Sequence, residues 1–214
     1  AASIHDLQQI PTLALIAVGS RTPELWHGKV QPMDFFDLKN EVEQILAAGR
    51  LNVSYVRSER VWLHPGQSAE ILVDGQSIGY LGRLHPSLEN ELDLGTTWVA
   101  EIDQKAILQS YVSNFTELSR FPSVRRDIAL LISDKINVSD IQQLIKQTGG
   151  DLLDSTWLFD VYTGQGVEQG KRSLAFALLW QHPSRTLEDA EIKSGMDNII
   201  QVLENTYQAT LRAS

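Results

Sequence analysis

Cysteine is absent from this 214-residue chain. That excludes disulfides, cysteine-ligated zinc and a thiol nucleophile, and it fits a cytosolic protein. Basic side chains are scarce: 18 Lys and Arg against 27 Asp and Glu leave a formal charge of −9. Broad nucleic-acid binding needs clustered cations to neutralise phosphate, so this balance argues against it. The deficit is uneven. Residues 1–118 hold 8 basic and 15 acidic side chains, whereas residues 119–214 hold 10 and 12. If either half meets RNA, charge favours the second, through a local patch. Long apolar runs are also missing. The best candidate, Leu13 to Val18 (LALIAV), has the length of a strand and falls far short of the ~18 residues of a membrane span, so no membrane role is expected. Nothing at the start resembles a signal peptide. The chain begins Ala-Ala-Ser and reads as a piece of something longer.

Catalytic signatures are missing as well. The glycines of TGQGVEQG join two strand-like runs without the Lys-Ser/Thr of a phosphate loop. No HExxH spacing, Ser-His-Asp order or nucleophile elbow occurs. His64, His85 and His182 each precede proline, and no carboxylate or second histidine stands at metal-ligand spacing from His64 or His85. The five tryptophans read as core or interface anchors. What remains is an ordinary soluble composition, 43% apolar and 21% charged, with enough chain for a normal core.

The first half reads as mixed α and β. TLALIAVGS predicts a buried strand. DFFDLKNEVEQILAAG predicts a helix, with Asp34 as its N-cap and Gly49 as its stop. Asp74-Gly75 marks a two-residue hairpin turn inside SAEILVDGQSIGYLGRLHP. PSLENELDL predicts a short helix, and NVSYVRS and TTWVAEID predict strands. A boundary falls near Ser110 to Pro122, giving domains of 1–112 and 122–214 with a linker at 113–121. After it, strands are expected over Arg125–Ser133, LLDSTWLFDVYTG, KRSLAFALLWQH and ATLR. A helix is expected over NVSDIQQLIKQTGG and a long one after Thr186, its N-cap, with Asp189 three residues on. The order βαββαβ defines a ferredoxin-like sandwich, whose sheet leaves one face open.

FPSVRRDIALLIS, LFDVYTGQGVEQGKRSLAFALLWQHPSRTLEDAEI and ATLR closely resemble the C-terminal anticodon-binding domain of bacterial phenylalanyl-tRNA synthetase β subunits. DFFDLKNEVEQIL, HPGQSAEILVDGQSIGYLGRLHP and WVAEID resemble the module before it in that family, a class II synthetase core that has lost its active site. That order points to a β subunit rather than to the single-chain organellar enzyme. The resemblance implies an α+β chain, a truncated class II synthetase-like mixed α/β core followed by the ferredoxin-like domain. It also implies a cytoplasmic role and two partners, tRNA-Phe and an α subunit, in a heterotetramer of two α and two β subunits. Phenylalanine, ATP and Mg would then bind the α subunit, with no cofactor on this piece and no aminoacylation by it alone.

Residues i and i+2 of a strand share a face. Asp160 and Tyr162 therefore share one, and Phe159 and Val161 take the other, toward the helices. Tyr162 offers a ring for an unpaired base. Asp160 can accept from guanine N1–H and N2–H, and Ser173 on the next strand can donate or accept. The resemblance implies that these three receive the first anticodon base, a guanine. Arg125 and Arg126 alternate onto opposite faces, so one can reach RNA phosphate; a salt bridge, with Asp127 or Asp160, is the other reading. Lys171, Arg172 and Arg185 are further candidates for phosphate, against ordinary surface charge or, for Arg185, a role at helix entry. The competing reading of the whole is a ferredoxin-like regulatory or oligomerisation module without RNA.

Overall fold

Two antiparallel sheets organise the chain, one in each of two units, residues 1–114 and 115–214. The computed structural model describes residues 9–47, 49, 51–108 and 119–212. Among them no helix is long and apolar enough to cross a membrane.

The first unit runs β1 (Thr12–Val18), α1 (Phe35–Ala47), β2 (Val53–Arg57), β3 (Leu63–Val73), β4 (Gln76–Leu84), α2 (Pro86–Glu91), β5 (Thr97–Asp103) and α3 (Gln104–Ile107). Its strands lie in the order β1-β5-β4-β3-β2. Helix α1 starts at a reciprocal cap. The Asp34 carboxylate accepts from the N–H groups of Phe36 (2.8 Å) and Asp37 (3.0 Å), and Asp37 accepts from the Asp34 N–H (2.8 Å). This satisfies donors that the first helical turn leaves free. Leu38, Val42 and Leu46, four residues apart, form one buried stripe that packs in a cluster with Ile71, Leu81 and Ile102. Asp74 and Gly75 close the β3–β4 hairpin with φ of 49° and 81°, the paired positive values that a type I′ turn requires. Strand β1 departs from expectation: it is an edge strand, and Ile16 is 72% exposed. A continuous apolar run does not distinguish an interior strand from an edge whose surface awaits cover.

The second unit runs β6 (Val124–Ser133), α4 (Val138–Gly149), β7 (Leu153–Tyr162), β8 (Lys171–Trp180), α5 (Asp189–Tyr207) and β9 (Thr210–Leu211). The sheet order is β7-β8-β6-β9 with every neighbouring pair antiparallel. Strands β6 and β7, joined through α4, are thus parallel and split by β8, which is the ferredoxin-like topology. Ile128, Leu130 and Ile132 of β6 and Leu174, Phe176 and Leu178 of β8 project to one face. There they cluster with Ile141 and Ile145 of α4 and Ile199 and Leu203 of α5. Each such side chain contributes ~1.5–3 kcal/mol on burial.

Helix α5 begins later than expected. Its N-cap is Glu188, not Thr186, and Glu191 at N3 reaches back to accept the Glu188 N–H at 3.0 Å. Most of the linker proposed over 113–121 lies outside the described residues. Ser119 and Phe121 are tied to the second unit: Ser119 Oγ donates to the His182 carbonyl (2.9 Å), and Gln181 Nε2 donates to that of Phe121 (2.8 Å).

Candidate nucleic-acid interface

Helices α4 and α5 belong to the core on one face of the second sheet, so alternate residues of β6, β7 and β8 form the opposite face. Strand register arranges that face in rows. Tyr162 lies across from Ser173 and Leu131, Asp160 across from Ala175 and Ala129, and Trp157 across from Ala177 and Asp127. The central strands thus supply a floor of small side chains, and β7 supplies aromatic rings and a carboxylate beside it.

A β-bulge decides which β7 residues reach this face. Leu158 pairs with Phe176 and belongs to the core side, but Asp160, not Phe159, pairs with Ala175. In an unbroken ladder Asp160 and Tyr162 would fall on the same side as Leu158, against the helices. One extra residue resets the alternation and turns both outward. The expectation for Phe159 is overturned by the same feature. Phe159 is 49% exposed, and the Arg125 guanidinium lies 5.3 Å from its ring centre. It belongs to the open face because the bulge removes it from the alternation. Val161 does pair with Leu174 on the helix side.

Asp160, Tyr162 and Ser173 are brought together. Directly opposed residues hold their Cβ atoms ~4.5–5.5 Å apart, and diagonal neighbours ~7–8 Å. Asp160 is exposed and has no hydrogen-bond or ion-pair partner among the described residues, so its acceptor positions are free. Ser173 is 4% exposed and lies at the floor. The Tyr162 hydroxyl donates to the Gln165 carbonyl at 3.1 Å. A Cβ on Gly164 would stand 2.5 Å from the Tyr162 Cζ, so glycine lets the hairpin loop close against the phenol end. The Arg212 guanidinium sits 4.9 Å from the ring centre. The Arg212 N–H donates to the Ala129 carbonyl (2.9 Å), which sets this residue just past the two-residue strand β9. The sequence marked ATLR as a strand but gave no signal that its arginine would reach a tyrosine on the far edge strand. That contact depends on the sheet order.

The five candidate phosphate-binding cations are all engaged. Arg125 and Arg126 do take opposite faces. Arg125 pairs with Asp127 (2.8 Å) on the open face, and Arg126 pairs with Asp189 (3.3 Å) at the start of α5. Lys171 pairs with Glu168 (2.8 Å). Arg172, opposite the core residue Ile132, faces the helix side and donates to the Ile136 carbonyl (2.5 Å). Arg185 grips Glu191 at 2.6 and 2.7 Å. By contrast Arg212 is exposed and has no ion-pair partner among the described residues.

Glu191 is held down to about 2, first by the Arg185 guanidinium and then by the Glu188 N–H. A folded value below the ordinary ~4.3 means the contact contributes above that pH and is lost as pH falls through the folded value. In an NMR titration Glu191 is expected to stay ionised to about pH 2, and Arg185→Gln to raise it toward the ordinary range. A titration unchanged by Arg185→Gln would remove Arg185 as the cause.

The histidine-proline turns share one geometry. The Nδ1 of His64, His85 and His182 accepts from the N–H two residues on, at 3.0, 3.2 and 3.1 Å. Among the described residues no group of three or more His, Asp or Glu converges as a metal site.

Residues 119–212 match the family model of the ferredoxin-fold anticodon binding domain, and residues 3–104 match that of the phenylalanyl tRNA synthetase beta chain CLM domain. The chain is similar to proteins named phenylalanine–tRNA ligase beta subunit. It is 91% identical to that of Acinetobacter baylyi over 214 residues, which is 100% of this chain and 27% of the relative. It is 43% identical to that of Pseudomonas fluorescens over 212 residues (98% and 27%) and 42% identical to that of Bacillus subtilis over 195 residues (88% and 24%). The chain therefore spans about a quarter of the length of these relatives.

Proposed function

We propose, from the premise that this chain belongs to the family of phenylalanine–tRNA ligase beta subunits, that its second unit binds the anticodon arm of tRNA-Phe on the open sheet face. The observation that carries this reading is the pair of side chains that the bulge turns outward. Asp160 and Tyr162 stand outward beside Ser173, with free carboxylate acceptors next to an aromatic ring. Asp160 accepts the N1–H and N2–H donors that guanine alone presents together. Tyr162 stacks the base, and Ser173 lines the floor. A base reaching the ring enters where the Arg212 guanidinium now lies. That guanidinium is then the nearest uncompensated positive charge for the base's phosphate. Arg125, Arg126, Lys171 and Arg185 contribute only by exchanging a carboxylate partner for phosphate, and Arg172 acts from within the unit.

The first unit, on the same reading, is scaffold. Its exposed Ile16, Val61 and Trp62 suit burial against another chain, namely an α subunit in a heterotetramer of two α and two β subunits. ATP and Mg belong to that partner, and no residue of this chain is assigned to them.

The test is a titration of the full chain with anticodon stem-loops. A loop with the guanine at its first anticodon position is expected to bind more tightly than one with adenine there. Tyr162→Ala is expected to weaken binding by ~1–3 kcal/mol, and Asp160→Asn to erase the preference for guanine. Equal binding of both loops by the unaltered chain would overturn the readout, and binding of neither would leave a module without an RNA role.

A further inference from the structure

We infer that Trp157, Arg125 and Phe159 form a second stacking station on the open face, occupied by another unpaired nucleotide of the same RNA. The inference rests on the RNA-binding reading above and extends it to residues outside the proposed guanine site.

Three observations carry it. First, both rings are bare where a sheet face would ordinarily shed them. Trp157 is 38% exposed and Phe159 49%, against 36% for Tyr162. Second, one guanidinium serves both rings. Arg125 lies 5.3 Å from the Trp157 ring centre and 5.3 Å from that of Phe159, and two hydrogen bonds to Asp127, 2.8 and 3.1 Å, hold it there. A flat cation fixed beside two rings is a preformed platform for a base. Third, the station adjoins the proposed guanine site along β7: Trp157 pairs with Ala177 and Asp160 with Ala175, and Phe159 lies between them as the extra residue.

The spacing makes the stations separate. Tyr162 is opposite Ser173 and Trp157 is opposite Ala177. Four residues of strand are about 14 Å at ~3.4 Å each. Stacked nucleotides advance by ~3.4 Å, so one base cannot reach both rings. The bulge serves this station too, since it is the extra residue Phe159 that it turns outward.

The test uses the full chain and anticodon stem-loops carrying, at the first anticodon position, a fluorescent guanine analogue that keeps N1–H and N2–H, or 2-aminopurine at each other unpaired position in turn, read by fluorescence quenching and by affinity. Two quenched positions are expected. Quenching at one should vanish in Tyr162→Ala, and at the other in Phe159→Ala and Trp157→Ala, with Trp157→Phe restoring it. Affinity should fall about 5- to 150-fold on loss of the second stack, the range for one base–aromatic contact. Thermal melts of each variant check that it folds, and the more exposed Phe159 supplies the test if Trp157→Ala does not. If Phe159→Ala and, where it folds, Trp157→Ala leave every quenched position and the affinity unchanged while Tyr162→Ala abolishes its own, the station is refuted and the guanine site stands. If no position is quenched in the unaltered chain, the RNA-binding reading itself falls.

Discussion

Phe176→Ala is expected to destabilise the second unit by about 3–5 kcal/mol, the range for truncating a fully buried phenylalanine. Phe176 has no exposed surface and lies at the centre of β8, paired with Ile128 on one side and Leu158 on the other. Its ring shares the core with residues of both helices, so the cavity left by alanine cannot close without moving several elements. Phe176→Leu, which keeps most of the volume, is expected to cost less than half as much. Urea denaturation of the two variants measures this. The change also tests the face assignment. Phe176 lies on the helix side, while its neighbours Ala175 and Ala177 floor the open face. The folded variant should therefore retain RNA affinity within a few-fold. A stability cost below ~1 kcal/mol, or selective loss of binding without loss of stability, would reverse that assignment.

Glu89→Ala is expected to cost about 3 kcal/mol in the first unit, the lower end for breaking a buried ion pair because Arg83 keeps some contact with water. Glu89 is 4% exposed. It accepts from Arg83 Nε (3.0 Å), from the Arg83 terminal nitrogen (2.7 Å) and from the Thr97 N–H (2.9 Å), which joins α2 to the strands on either side of it. Alanine leaves a guanidinium and a buried N–H without partners. Glu89→Gln retains an acceptor for Thr97 and is expected to cost less. The Arg83 guanidinium, and after it the Thr97 N–H, hold the Glu89 carboxyl below the ordinary range. A lowered folded value means the contribution is present above the ordinary ~4.3 and is lost as pH falls through the folded value. The stability gap between the unaltered chain and Glu89→Ala should therefore narrow on acidification. A gap that widens below pH ~4 would contradict the pairing.

Much of the second unit was legible because its signals are local. The apolar alternation of Ile128, Leu130 and Ile132, the helical stripes of α4 and α5 and the connecting turns each follow from neighbouring residues. Their order implied the sheet. The placement of Asp160 and Tyr162 on one face was legible for the same reason. Phe159 was not, because a bulge is a mismatch between two strands and leaves no mark in either alone. Neither was the contact of Arg212 with Tyr162, which joins residues fifty positions apart from opposite edges of the sheet. The exposure of β1 escaped because an apolar strand reads alike whether its neighbour is present or absent.

The sequence by itself determined most of the elements, their order and the family, since these rest on composition, periodicity and motifs carried along the chain. The tertiary structure alone decided which side chains share the candidate site. Pairing register selected the rows of the open face, and one unpaired residue, Phe159, turned Asp160 and Tyr162 toward solvent. A side chain's face depends on what its strand is paired with, and that is a property of two segments rather than one.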